Sequence, residues 1–118
     1  MTQEDKDLLL KDLCARLPYG VKVRDELGRI NKLVIGNSDL NRLYYNDFSI
    51  YSEEKLSLPY LFPLSSMTEE QNKEWLYTLS SDYHITYDTV DWCNKNHFDY
   101  RGLIPMGLAI DAAGLNIY

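Results

Sequence analysis

Two prolines divide this chain. In the run LPYLFPLSS, residues 58–66, Pro59 and Pro63 bracket Tyr60, Leu61 and Phe62. A proline lacks an amide donor and has a fixed φ, so neither a helix interior nor a central strand is expected there. The run reads as an extended connector over 59–67, with regular structure gathered on either side of it.

Ahead of the connector the period of the apolar residues changes once. Over 2–17 it is helical: Leu9, Leu10, Leu13, Cys14 and Leu17 fall within about 140° of arc at about 100° per residue. Glu4, Asp5, Asp7, Lys11, Asp12 and Arg16 lie outside that stripe, while Leu8 and Lys6 break the pattern. Thr2 is placed to cap the first amides, and the acids of the first turn suit the positive end of the dipole. Pro18 and Gly20 stop the helix at Leu17. Val21 and Val23 then alternate with Lys22 and Arg24, residues 25–28 have turn chemistry, and 30–35 resume apolar character, which predicts a β-hairpin. A further β-prone run follows from Leu43 to Tyr51 after the turn cluster 36–39. Strands joined by such short turns are expected to be antiparallel neighbours, with the first helix covering one face.

Beyond the connector, Thr68 and Gln71 have capping-box spacing, and Glu69 and Glu70 favour the start of a helix over 69–79. Trp75, Leu76 and Leu79 share one face of it. Residues 83–87 alternate in the manner of a short strand. Residues 89–96 suit a two-turn helix carrying Val90, Trp92 and Cys93, opened near Asp88 and Asp91. Pro105 is compatible with a first helical turn, so 103–111 is read as a short helix, with a strand through Leu108 and Ile110 as the other reading. Gly102 suits a left-handed turn, and Gly107 suits a close backbone approach.

The chain of 118 residues is the size of a single domain, and its 45% hydrophobic and 25% charged content is that of a globular protein. With 18 acids against 12 bases and a net charge of -6, it lacks the basic footprint of a phosphate-backbone binder, so direct nucleic-acid binding is disfavoured. No apolar run is long enough to span a bilayer, and acids stand where a secretory signal would have lysines. A cytoplasmic protein without membrane association is expected. Cys14 and Cys93 are too few for a disulfide framework and read as core residues.

Residues 89–112 concentrate the chemistry-bearing groups. His97, Asp99, Tyr100 and Arg101 are the candidate binding or functional residues, because a carboxylate that orients an imidazole raises its basicity, and alternate residues of an extended segment point the same way. A Cys93–His97 pair would share a face if the helix continued, yet two ligands do not make a zinc site, and neither metal nor cofactor is expected. No G-x-G-x-x-G, G-x-x-x-x-G-K or G-x-S-x-G occurs, which removes the common nucleotide and hydrolase signatures and leaves no catalytic residue to name. Ten tyrosines are many for this length and hint at an interface, although half-burial against the sheet is the plainer expectation for most of them.

The segments PYLFPLSSMTEEQ (59–71) and HFDYRGLIPMGLA (97–109), with the opening MTQEDKDLLLKDLCARLPYGVKV (1–23), resemble a family of short uncharacterised proteins from gut bacteria and their phages or prophages. The resemblance implies a phage or mobile-element setting and brings no activity, cofactor or catalytic residue with it.

The expected fold is a single α+β domain. It comprises an N-terminal helix over 1–17, a small antiparallel sheet of about three to four strands over 18–58 that could curl toward a barrel, the connector over 59–67, and a mainly helical half over 68–118. The expected function is that of a non-enzymatic accessory module that binds a protein partner. The alternatives are a small-ligand or hydrolytic site at His97, Asp99, Tyr100 and Arg101, and an acidic decoy for a nucleic-acid-binding host protein.

Overall fold

A computed structural model describes residues 2–24, 28–34 and 57–118, and they form an α+β arrangement. Helix α1, Gln3–Arg16, is opened as its sequence requires: the Thr2 hydroxyl accepts from Asp5 N–H at 3.1 Å, and the Asp5 carboxylate accepts from Thr2 N–H at 3.2 Å. It runs into a single 3-10 turn, Leu17–Tyr19, which Gly20 ends at φ 70°, a left-handed conformation that glycine adopts without penalty.

Strands β1, Lys22–Arg24, and β2, Ile30–Lys32, form the expected antiparallel hairpin, with Val23 opposite Asn31. The β-prone run at 43–51 lies outside the described residues. The next strand is the proline-bracketed run itself. Leu58–Pro63 is β3, and it pairs with β1 antiparallel, with β4 (Phe98–Asp99) parallel and with β5 (Ile110–Asp111) parallel. The expected connector is therefore the strand to which the other parts of the sheet attach. Successive residues of a strand direct their amide groups to opposite edges. Phe62 N–H donates to His97 O at 2.8 Å and Leu61 O accepts from Ala112 N–H at 2.8 Å, so β4 and β5 lie on opposite edges of β3. The prolines stand second and last in the strand, where they leave the three residues between them free to pair. Among the described residues the five strands make one open, mixed sheet, in the order β2-β1-β3-β4 with β5 also on β3.

Beyond β3, helix α2 is Glu69–Thr78 and begins with the Thr68–Gln71 capping box, at 3.1 and 2.9 Å. Helix α3 is Tyr87–Lys95, and its cap is Thr86, not an aspartate: the Thr86 hydroxyl accepts from Thr89 N–H, and Thr86 N–H donates to the Thr89 hydroxyl. Two expected elements are absent. Residues 83–87 form no strand, since Tyr83 takes φ 62° in a tight turn, and 103–111 is not a helix but a turn followed by β5. In that turn Gly107 reaches φ 75°, and a Cβ there would touch nothing within 4 Å, so the glycine serves the backbone angle and not a close approach.

The core joins Leu9 and Leu13 of α1 to Val21, Val23, Leu33, Leu61, Leu103, Leu108 and Ala109. The buried face of α1 is rotated from the apolar stripe. Cys14 is exposed, whereas Asp12 and Arg16 have no exposed surface at all. Burial of this charged pair is compensated on every side: Arg16 Nε donates to Asp12 Oδ2 at 2.9 Å, Arg16 Nη2 donates to Phe98 O at 2.7 Å, and Arg101 Nε donates to Asp12 Oδ1 at 3.2 Å. The pair locks α1 onto the end of α3 and the start of β4.

Candidate functional site

Helix α3 stops where the candidate residues begin. Asn96 caps its C-terminus, donating from its backbone and from its side chain to Trp92 O, and His97 turns the chain at φ 64°. The helical register that would have set Cys93 and His97 on one face is therefore broken. Phe98 then enters the sheet, and its ring is buried between Trp92, stacked at 5.4 Å, and Phe62 at 5.8 Å. This aromatic column fixes the position of the segment.

The four candidate residues do not converge. The Asp99 carboxylate is buried and accepts from Leu103 N–H and Ile104 N–H, both at 2.9 Å, so it caps the following turn and does not meet the imidazole. Arg101 is committed to Asp12, and its guanidinium lies 4.8 Å from the Tyr100 ring, which Arg16 approaches at 5.4 Å. The Tyr100 hydroxyl and His97 Nδ1 are buried atoms that find no hydrogen-bond partner among the described residues. The His97 imidazole is covered by Tyr118, whose ring stacks on it at 3.8 Å. Burial, reinforced by the charges of Arg16 and Lys22, lowers the His97 pKa to about 4, so the ring is neutral at pH 7 and poorly basic.

Cys93 is the buried thiol of the chain. Burial pushes its pKa up to about 11, against the opposing influence of Arg16 and Trp75, and so disfavours the thiolate that a metal or an electrophile would need. Among the described residues no three His, Cys, Asp or Glu side chains gather as metal ligands would. No helix among them is long and apolar enough to cross a membrane.

The unusual surface lies elsewhere, on the hairpin of α2 and α3. Tyr77 is 90%, Tyr83 77% and Tyr87 95% exposed, with Ile85 and Leu76 also in the open. These three rings stand apart from the half-burial against the sheet that was expected of most of the tyrosines. Their scaffold is firm: Thr78 O accepts from the Thr86 hydroxyl at 2.7 Å and the Thr89 hydroxyl at 3.1 Å, and Trp92 Nε1 donates to Glu74 at 3.3 Å. Within the connection, Tyr83 N–H donates to Ser80 O and Ser80 N–H donates to His84 O. Tyr83 is held in a left-handed conformation that costs a side-chain-bearing residue roughly 1 kcal/mol or more. Its ring buries little in return. Lys73, Leu76, Tyr77 and Tyr83 line a surface cleft of about 290 Å3. The sequence did carry a signal for this surface, since three tyrosines fall within residues 77–87, with Asp82 among them and Glu74 and Asp88 on either side.

Comparison with known proteins adds no relative. No protein-family model matches the chain, and no curated protein and no solved structure matches it.

Proposed function

We propose that this protein is a non-enzymatic accessory module that binds a protein partner through the α2–α3 hairpin. The observation that carries the reading is the exposure of Tyr77, Tyr83 and Tyr87 beside Leu76 and Ile85 on one hydrogen-bonded scaffold. Tyrosine supplies large contact area with few rotatable bonds and is enriched at interfaces. An exposed aromatic surface of this kind is the feature that a monomer without a partner tends to avoid. The left-handed Tyr83 supports the same reading, because strain retained without a packing gain points to use.

The setting proposed is a phage or mobile element acting in the cytoplasm of a bacterial host, as the resemblance of 59–71 and 97–109 implies. A hydrolytic or small-ligand site at His97, Asp99, Tyr100 and Arg101 draws no support from side chains that are each engaged with another part of the fold or covered.

Site-specific photo-crosslinking in bacterial cells tests the reading. A photoreactive phenylalanine analogue at position 83 is expected to trap one protein reproducibly, and the same analogue at Lys11, on α1, is expected not to. Equal trapping at the two positions, or none at 83, would overturn it.

A further inference from the structure

The hairpin that exposes the tyrosines also holds most of the chain's acidic excess. Between residues 69 and 95 stand Glu69, Glu70, Glu74, Asp82, Asp88 and Asp91 against Lys73 and Lys95, all exposed, whereas the rest of the chain is nearly balanced. Resting on the protein-binding reading, we infer that the partner presents an arginine-rich, amphipathic segment to the cleft of Lys73, Leu76, Tyr77 and Tyr83.

Three features of the cleft favour that occupant. Two tyrosine rings line it; the face of a tyrosine attracts a guanidinium, and apolar surface beside it accommodates the aliphatic stem. Leu76 gives the cleft an apolar wall for an aliphatic neighbour. Glu69, Glu70, Lys73, Leu76 and Tyr77 fall within about 120° of arc on α2, so two carboxylates stand on the face that leads into the cleft, and Asp82 adjoins Tyr83 in the chain. Among the described residues neither Glu69 nor Glu70 has an ion-pair partner. Such a field raises the association rate of a cationic partner and repels an anionic one.

Charge also discriminates against the competing occupants. A second copy of this chain carries the same net charge of -6, and residues 35–56 of its own sequence hold four acids against two bases. Nucleic acid is repelled by the same rim. Among the described residues Lys73 is the one cation lining the cleft; it is exposed and opposes the proposed partner.

The test is a titration of the full isotope-labelled chain, read by amide and side-chain chemical shifts, with a short peptide alternating arginine and leucine and with its glutamate-for-arginine counterpart. The arginine peptide is expected to shift Lys73, Tyr77, Asp82 and Tyr83 saturably. It should bind about threefold more tightly to Lys73→Glu and about tenfold more weakly to Tyr77→Ser/Tyr83→Asn. The second variant keeps an αL-tolerant residue at 83, and its unchanged dispersion elsewhere checks its folding. Equal binding of the glutamate peptide, shifts scattered over acids outside the hairpin, indifference to the tyrosine changes, or no binding would each overturn the inference. A crosslinked partner that meets position 83 through a neutral or acidic segment would overturn it too, while leaving the protein-binding reading in place.

Discussion

The ring of Tyr118 lies flat on the imidazole of His97, with centroids 3.8 Å apart and 12° between the planes. The phenol is anchored at its far end, where the hydroxyl donates to Tyr60 O at 2.7 Å and accepts from Lys22 N–H at 2.8 Å. Burial raises its pKa to about 12, so the hydroxyl remains a donor across the physiological range. Tyr118→Phe keeps the stack and removes both hydrogen bonds, for an expected loss of about 1 kcal/mol. Tyr118→Ala removes the stack as well and should cost about 2–3 kcal/mol. Urea denaturation of the two variants measures the difference.

His97 gives the fold a pH dependence of definite sign. Its folded pKa, about 4, lies below the ordinary 6.5. Between those values the unfolded chain binds a proton that the native state refuses. The contribution is therefore complete above about pH 6.5 and is lost as pH falls toward 4. Because the imidazole is only partly buried, the loss is on the order of 1–2 kcal/mol after allowance for solvent screening. His97→Asn, which tolerates the left-handed backbone, should show a flatter stability profile over that window, and coincident profiles would refute the assignment.

The Asp12–Arg16 pair should behave as a buried network and not as a surface ion pair. Asp12→Ala leaves the Arg16 and Arg101 guanidiniums without their shared carboxylate, and about 3–5 kcal/mol of stability should go with it. Replacing both partners, as Asp12→Leu/Arg16→Met, should cost less than the two single changes added together. Thermal denaturation of the four members of this cycle supplies the comparison.

Tyr83 is expected to trade stability against use. Tyr83→Asn or Tyr83→Gly relieves the left-handed backbone and, since the ring is largely exposed, should raise stability by about 0.5–1 kcal/mol. The same variants should bind the arginine peptide more weakly at the hairpin. A Tyr83→Asn protein less stable than the parent would show that the ring contributes to the fold.

What the residues determined on their own is whatever closes within a few positions. Thr2 with Asp5 and Thr68 with Gln71 start helices because a side chain three residues back reaches the free amides wherever the helix goes. The hairpin at Val23 and the α+β class follow from a change of period that needs no distant partner. Only the tertiary structure decided the rest. Leu58–Pro63 is a strand because elements brought from both ends of the chain pair with it: β1 with Leu58 and Pro59, and β5 and β4 with the three residues between its prolines. Arg16 is buried because Phe98 O lies within 2.7 Å, a contact spanning 82 positions of sequence that no helical stripe encodes. His97 ends a helix, and so leaves Cys93, for the sake of Phe98 entering the sheet between Trp92 and Phe62. Tyrosines that pattern alone would tuck against the sheet stand in solvent at 77, 83 and 87, because the threonines that fasten the hairpin turn its outer side away from the core. Local hydrogen-bond geometry is written in short spacings, whereas burial and exposure depend on which distant residues arrive to cover a side chain.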